Sequence, residues 1–223
     1  MFSPKTYQAR RQALAKAVGK GYIFILGNEE APKNYTDNVY HFRQDSSFLY
    51  FCGIDKPGYA LGIDLATGKS CLFGEDITID HIVWMGDQPS LRDLADRSGI
   101  DEIASPDAIA SVLKSNKDNL HFLPPYRALN GNKLKGWLGE SHIEPSRKLI
   151  EGVIDLRSYK SEEELFEIEK AVALTRDMHH YVRDHAKPGL LESELSGPIS
   201  GMAMSQGGDL AYGVILTING QIL

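Results

Sequence analysis

The amino-acid sequence predicts an α/β layer fold, with helices packed against a central β-sheet. Short apolar runs bounded by glycine, asparagine or aspartate indicate strands, while longer segments with a three-four apolar spacing indicate helices. The two kinds of segment alternate along the chain, which is the pattern of layered α/β domains. With 223 residues, the chain is long enough to bury a core and to include part of a second domain.

The first elements carry clear boundary signals. A helix is predicted to begin at Ser3-Pro4, because a capping hydroxyl followed by proline at the first helical position starts helices. Gly19 and Gly21 are expected to end it. Strands are predicted next at residues 22–26, 48–52, 59–65 and 70–73, and residues 66–69 join the last two as a hairpin.

The middle of the sequence carries weaker signals. Residues 124–150 contain Pro124-Pro125, an Asn-Gly-Asn run and Gly139, so we predict a loop-rich passage there. Residues 76–84 fit both the strand and the helix period, and both alternatives stay open. The remaining predicted elements are helices at residues 91–98 and 108–113 and short strands at residues 102–104 and 120–123.

A domain boundary is predicted near residue 155, which separates residues 1–155 from residues 156–223. Shortly after it, Ser161 and Glu164 form a capping box. The residues that follow keep a three-four apolar spacing over a long stretch, so this capping box is expected to begin a long helix.

The last part of the chain predicts a further helix and then a hairpin. Pro198 lies within the helical segment 190–206 and predicts either a kink or a later helix start. Residues 212–218 predict a strand, Asn219-Gly220 is a favoured two-residue hairpin turn, and the returning strand is expected from residue 221. A sheet begun there would lack the strands that bury both of its faces, so we expect an incomplete second domain.

Composition and charge exclude several classes of protein. Acidic residues outnumber basic ones by 30 to 24, and the basic residues are scattered, so nucleic acid is not an expected partner. No apolar run approaches the length of a membrane span or of a signal-peptide core, which predicts a cytoplasmic protein that does not contact a membrane. Cys52 and Cys71 lie in apolar segments without metal-ligand spacing and are expected to be buried free thiols.

Residues 40–53, with the sequence YHFRQDSSFLYFCG, join a charged and polar cluster to an aromatic run that ends in glycine. Arg43 has a rigid fork of donors and lies close to Asp45 and to the hydroxyls of Ser46 and Ser47. We interpret the cluster as a structural ion pair that fixes a loop to the start of a strand, because charges at strand ends usually hold loops.

This segment, with Asp37 before it and GIDKPG at residues 53–58 after it, resembles the N-terminal domain of aminopeptidase P, the Xaa-Pro aminopeptidase of the creatinase and prolidase superfamily. Residues 155–165, DLRSYKSEEEL, are similar to the family's entry into its catalytic domain, although Tyr159 is bulkier than the family pattern predicts. The KPG at residues 187–189, followed by Glu192, also fits.

The resemblance implies a fold for each part of the chain. Residues 1–155 would form a creatinase-type N-terminal domain, with a mixed β-sheet flanked by helices. Residues 156–223 would form the first helices and first hairpin of a truncated pita-bread catalytic domain.

The resemblance also implies a reaction. Family members cleave the peptide bond before proline at the second position of a peptide, using two metal ions held by two aspartates, a histidine and two glutamates. Such carboxylate-rich ligation suits manganese. In the family all five ligands would follow residue 223, so the chain itself is expected to be inactive and to contain no catalytic or metal-binding residue. The family also predicts a homo-oligomer.

Trp84 is the one residue that we nominate for substrate contact. It matches a tryptophan that, in oligomeric members of the family, can reach the active site of a neighbouring subunit, and a large amphipathic ring suits a proline-binding wall. The alternative is an ordinary packed core residue.

A metal site is tempting but not predicted among His179, His180, Asp184 and His185. His180 and Asp184 share one helix face at a four-residue spacing, yet two ligands on one exposed turn do not make a site. We interpret these residues as polar helix surface.

Two alternative functions stay open. The resemblance extends to pseudo-peptidases that have lost the metal ligands and serve as interaction modules. Among the enzymes, prolidase, the Xaa-Pro dipeptidase, is the second alternative. It differs from aminopeptidase P in residues around the metal ions, and those residues lie outside this sequence.

Overall fold

The structure is a computed structural model that describes residues 2–221. The chain forms two compact units, which divide between Tyr159 and Lys160. The boundary that the sequence predicts near residue 155 therefore lies inside a helix of the first unit, Arg147–Ser158.

The described part of the first unit is built on one five-stranded mixed sheet with the order β4-β3-β2-β1-β5. Strand β2 runs antiparallel to β1 and β3, whereas β5 is parallel to β1 and β4 is parallel to β3. Four strands therefore point in one direction. The strands are β1 (Tyr22–Leu26), β2 (Ala60–Asp64), β3 (Ser70–Phe73), β4 (Glu102–Ala104) and β5 (Leu120–Phe122). These five strands and the β2-β3 hairpin confirm the corresponding predictions.

The helices of the first unit begin where the sequence supplies caps. Ser3 accepts a hydrogen bond from the Thr6 amide and Pro4 follows it, while Gly19 ends the helix with a φ of 94°. Within residues 76–84, which fit either period, a helix begins at Ile79, and Thr78 and His81 form its capping box. The helices are α1 (Pro4–Val18), α2 (Ser46–Cys52), α3 (Ile79–Met85), α4 (Leu91–Arg97), α5 (Ile109–Ser115), α6 (Ala128–Leu138) and α7 (Arg147–Ser158).

Helices cover both faces of the sheet, as the alternation of strand residues requires. In β1, Ile23 and Ile25 face a cluster that α1, α2, α4 and α7 complete. Tyr22 and Phe24 face the opposite cluster, which α5 and α6 complete. Two buried faces explain why the strands read as continuous apolar runs.

The strand predicted at residues 48–52 is wrong, because this segment forms α2. Asp45 caps the helix by accepting hydrogen bonds from the amides of Ser47 and Phe48, and Gly53 ends it in the left-handed conformation with a φ of 69°. Its buried residues Phe48, Phe51 and Cys52 follow the three-four spacing of a helix. Aromatic composition alone favours a strand.

The loop-rich passage predicted for residues 124–150 is also wrong, because it contains α6 and the start of α7. Asn130, Leu134 and Leu138 are the buried residues of α6 and lie four positions apart. Gly131, from the Asn-Gly-Asn run that suggests a turn, lies inside this helix, and Gly139 ends it. Tertiary burial of one face outweighs the weak helix propensity of these glycines and asparagines.

The described part of the second unit contains α8 (Glu162–His185) and α9 (Glu192–Ser205). The predicted capping box of Ser161 and Glu164 is confirmed. Helix α9 begins at Glu192, so Pro198 lies inside it and does not delay its start.

The strand predicted at residues 212–218 is wrong, since no strand is assigned to them. They have no partner strand among residues 2–221, and a strand needs one to satisfy its backbone. Of the predicted returning strand, Ile222 and Leu223 lie outside the described residues. Along residues 2–221, none of the helices combines the length and the apolar character that crossing a bilayer requires.

Candidate functional site

The carboxyl ends of the four equally directed strands meet at one edge of the sheet. Leu26, Phe73, Ala104 and Phe122 end these strands, and β2 begins at the same edge with Ala60. In open α/β sheets, ligands bind in the crevice outside this edge. The structure has a cleft of about 830 Å³ there.

The cleft is bounded by the loops that follow β1 and β3 and by one side of α3. Its ionisable residues are mostly acidic, and Lys133 lies in an ion pair with Glu29. Lys56 donates a hydrogen bond of 2.6 Å to the amide oxygen of Gln88. The excess of carboxylates favours a cationic or neutral ligand over an anion. The ionisable lining residues with carboxylate, ammonium or imidazole groups are Glu29, Glu30, Asp37, Glu75, Asp76, Lys56, Lys133 and His81.

A buried amide fixes the loops of this edge. Gln44 is 4% exposed, and its Oε1 accepts hydrogen bonds from the backbone amides of Asn28 (2.7 Å) and Asp45 (2.8 Å). Its Nε2 donates to the carbonyl oxygens of Lys56 (2.7 Å) and Ile54 (3.3 Å). Gln44 therefore links its own segment to the loop that contains Asn28 and to residues 54–56.

Asn28 and Asn130 extend this network. The side chain of Asn28 donates to the Arg43 carbonyl and to the Tyr126 hydroxyl, both at 2.9 Å. The side chain of Asn130 donates to Asn28 Oδ1 at 3.3 Å. Neither asparagine is predicted from the sequence as part of such a network, because the Asn-Gly-Asn run at residues 130–132 predicts a turn. The residue that could have led to them is Gln44, which lies inside the motif at residues 40–53.

Trp84 lies on α3 and is 85% exposed, so the alternative that it is a packed core residue is wrong. None of the residues of α3 is buried, although Ile79, Val83 and Met85 are also apolar. His81 and Met85 of the same helix line the cleft, whereas Trp84 is not among the lining residues. An exposed apolar helix beside an acidic cleft is the most conspicuous surface of the first unit.

Metal ligands do not converge anywhere in residues 2–221, where no group of three or more His, Cys, Asp or Glu side chains could hold an ion. Asp184 is paired with Arg183, whose hydrogen bond lowers the pKa of the carboxyl group, and the His185 ring bonds to the Tyr181 carbonyl. The described residues therefore do not fit a dinuclear metal centre.

Neither cysteine has the lowered pKa that marks a reactive thiol. Both are free thiols, as predicted, with Cys52 buried and Cys71 partly buried. Burial raises the pKa of Cys52 to about 12 and that of Cys71 to about 11, which favours the protonated thiol in both.

The chain has the fold of solved aminopeptidase P structures. It superposes on the low-pH form of Escherichia coli aminopeptidase P with a TM-score of 0.76 and 22% identity, over 93% of this chain and 50% of that one. Zinc-substituted Escherichia coli aminopeptidase P in complex with product gives a TM-score of 0.76 and 23% identity, over 92% of this chain and 50% of that one.

The sequence comparisons agree with the fold. The family model for the N-terminal domain of aminopeptidase P matches residues 7–121, more than half of the chain. The chain belongs to the aminopeptidase P family.

The names of individual relatives state one of two related activities, Xaa-Pro dipeptidase or Xaa-Pro aminopeptidase. Human Xaa-Pro dipeptidase is 30% identical over 199 residues, covering 86% of this chain and 40% of that protein. A probable Xaa-Pro aminopeptidase of Talaromyces stipitatus is 24% identical over 217 residues, covering 95% of this chain and 42% of that protein. The chain thus spans about two fifths of the length of these relatives.

Proposed function

We propose that this chain is the N-terminal part of a cytoplasmic, metal-dependent Xaa-Pro peptidase that releases the residue preceding proline. The observation that carries the proposal is the family match over residues 7–121, which covers nearly all of the sheet and most of the residues that line the carboxyl-edge cleft. The excess of carboxylates in the cleft is compatible with a peptide, whose free amino terminus is cationic.

In this proposal the first unit is a supporting domain, and the metal ligands lie outside residues 2–221. The described residues offer no group of carboxylates and imidazoles that could hold two ions. Manganese is the ion that we propose for the whole protein, because it suits carboxylate-rich ligation. The chain by itself is then inactive.

Trp84 is the residue that we propose for substrate contact, within a homo-oligomer. Its ring and the other apolar side chains of α3 are exposed, which suits contact with a second subunit. In the whole protein, Trp84→Ala should lower kcat/KM on Xaa-Pro peptides about tenfold, the scale of one lost aromatic contact. Leu49→Ala, which removes an exposed apolar side chain from α2, is the control. Unchanged kcat/KM in Trp84→Ala would refute the nomination.

Aminopeptidase and prolidase activities are separated by substrate length. The higher identity to human Xaa-Pro dipeptidase favours prolidase as the second candidate. The whole protein should be assayed with manganese on an Xaa-Pro dipeptide and on the same peptide extended by several residues. Cleavage of the longer peptide supports the aminopeptidase, and cleavage of the dipeptide alone supports prolidase.

A non-catalytic interaction module is the remaining alternative, and the exposed apolar surface of α3 is the observation in its favour. The same assay addresses it. Failure of the whole protein to cleave either peptide with any divalent ion would favour the module.

A further inference from the structure

A small cavity of about 30 Å³ lies between the carboxyl ends of β1 and β5 and helix α6. Most of its wall is apolar and includes Phe24 of β1 and Leu134 of α6. Its polar lining side chains are those of Asn130, Tyr126 and Asp45. A cavity needs only about 10–15 Å³ of such space to hold a water molecule, so this volume suits a ligand of that size.

Asn130 brings a buried acceptor to this cavity. The residue is 6% exposed, and its Nδ2 donates to the Gly27 carbonyl at 3.4 Å and to Asn28 Oδ1 at 3.3 Å. Both neighbours of Nδ2 are acceptors, which fixes the orientation of the amide. The buried Oδ1 of Asn130 has no hydrogen-bond partner within residues 2–221. An unpaired buried acceptor costs free energy, which favours the binding of a donor there.

The protein around the cavity is short of donors. Pro124 and Pro125 line it from the loop after β5, and proline has no amide proton. Apart from Asp45, Tyr126 and Asn130 itself, all of the lining side chains are apolar. We therefore expect the donor for Asn130 Oδ1 to come from a molecule that enters the cavity.

Tyr126 and Asp45 offer the other hydrogen bonds that such a molecule needs. The Tyr126 hydroxyl accepts a hydrogen bond from the Asn28 side chain at 2.9 Å, so its own proton is available. Asp45 uses Oδ1 to accept the amides of Ser47 and Phe48, so its Oδ2 is available as an acceptor. One donor and two acceptors match a water molecule, since buried waters typically make about three hydrogen bonds.

We propose that this cavity binds one ordered water molecule, which donates to Asn130 Oδ1 and Asp45 Oδ2 and accepts from the Tyr126 hydroxyl. The water extends the network of Gln44, Asn28 and Asn130 to the residue that caps α2. The proposal does not depend on the peptidase assignment, because it concerns the hydration of the first unit and requires no turnover.

The test combines a crystal structure of the 223-residue chain with NMR in solution. The electron density should show a water oxygen about 2.5–3.0 Å from Asn130 Oδ1. Crystals grown without ammonium salts exclude an ammonium ion at the same place. In solution, the methyl protons of Leu134 should show a cross-relaxation peak with water, with the sign that marks a long residence time. Because methyl protons do not exchange, this peak reports the proximity of water.

Two variants on α6 locate the site. Asn130→Leu replaces the amide by methyl groups and should lose both the water density and the cross-relaxation peak. Asn132→Leu makes the same change at an exposed position of the same helix, outside the cavity, and should keep both. Circular dichroism checks that the variants fold. If Asn130→Leu does not fold, Tyr126→Phe, which removes only the hydroxyl of an exposed side chain, replaces it and should lose the peak.

Three results would overturn the proposal. One is the absence, in the wild-type chain, of either the water density or the cross-relaxation peak. Another is a water that stays at the same place in Asn130→Leu or in the variant that replaces it. The third is an equal loss of the Leu134 peak in the Asn132 variant and in the variant that removes a polar group from the cavity.

Discussion

At the residue scale, the buried side chain of Gln44 holds several loops of the first unit through hydrogen bonds. It is buried, and both ends of its amide are used by backbone groups from three segments. Buried polar networks of this kind specify one arrangement of loops, because each group left without a partner costs free energy. The loops that border the cleft therefore depend on this one side chain.

Gln44→Leu should lower the free energy of unfolding by about 2–4 kcal/mol, because it leaves two amides and two carbonyls without their partner. Urea denaturation checks this value. The control is Gln12→Leu at an exposed position of α1, which should change the free energy by less than about 0.5 kcal/mol. Equal small effects in both variants would show that the network does not hold the loops.

Cys52 gives the fold a pH dependence in the alkaline range. Burial raises the pKa of its thiol from an ordinary value near 9 to about 12. The folded state therefore holds the proton more tightly than the unfolded state does. The corresponding stability is complete below pH 9 and is lost as the pH rises from 9 towards 12.

Wild type should lose about 2 kcal/mol of unfolding free energy relative to Cys52→Ala between about pH 8 and pH 10.5. The difference between the two proteins isolates Cys52, since the other titrating groups are common to both. Urea denaturation with a reductant present, repeated across this range, measures it. If the difference in unfolding free energy between wild type and Cys52→Ala does not change with pH, the pKa of the Cys52 thiol is the same in the folded and unfolded states, which contradicts the prediction.

At the element scale, α2 shows what the sequence can and cannot predict. Residues 48–52 are aromatic and apolar, and this composition predicts a strand. The helix is decided by contacts at its two ends, where Asp45 caps the first amides and Gly53 adopts a positive φ. A side chain at Gly53 would also collide with the Tyr7 ring, about 2.2 Å from the added carbon atom.

Asp45→Ala should destabilise the first unit by about 1 kcal/mol, because it removes the cap of α2. Asp45→Asn should recover most of this loss, because an asparagine side chain accepts the same hydrogen bonds. The comparison of the two variants by thermal or urea unfolding separates capping from charge. Equal destabilisation by alanine and asparagine would indicate that the negative charge of Asp45 matters instead.

Other elements follow the same division between local and tertiary signals. The five strands and α1 are predicted correctly, since their apolar runs and caps are local in sequence. Helix α6 is not, because its asparagines and glycines suggest turns until Asn130 meets Asn28 across the fold. The exposure of Trp84 was also beyond prediction, since a sequence does not reveal which apolar residues remain unburied.

At the scale of the whole molecule, the described residues form a five-stranded sheet with both faces covered in the first unit, and they contain no convergent metal ligands. A domain of this kind can shape a site and present surfaces such as α3 and the carboxyl-edge cleft. Under the proposed function, hydrolysis depends on residues outside the described part of the chain.

The most direct test is to assay the purified 223-residue chain with manganese on a peptide that has proline at its second position. We predict no release of the N-terminal residue above the rate in buffer, because residues 2–221 contain no group that could hold the ions. Release that increases with protein concentration and stops when a chelator is added would contradict this account.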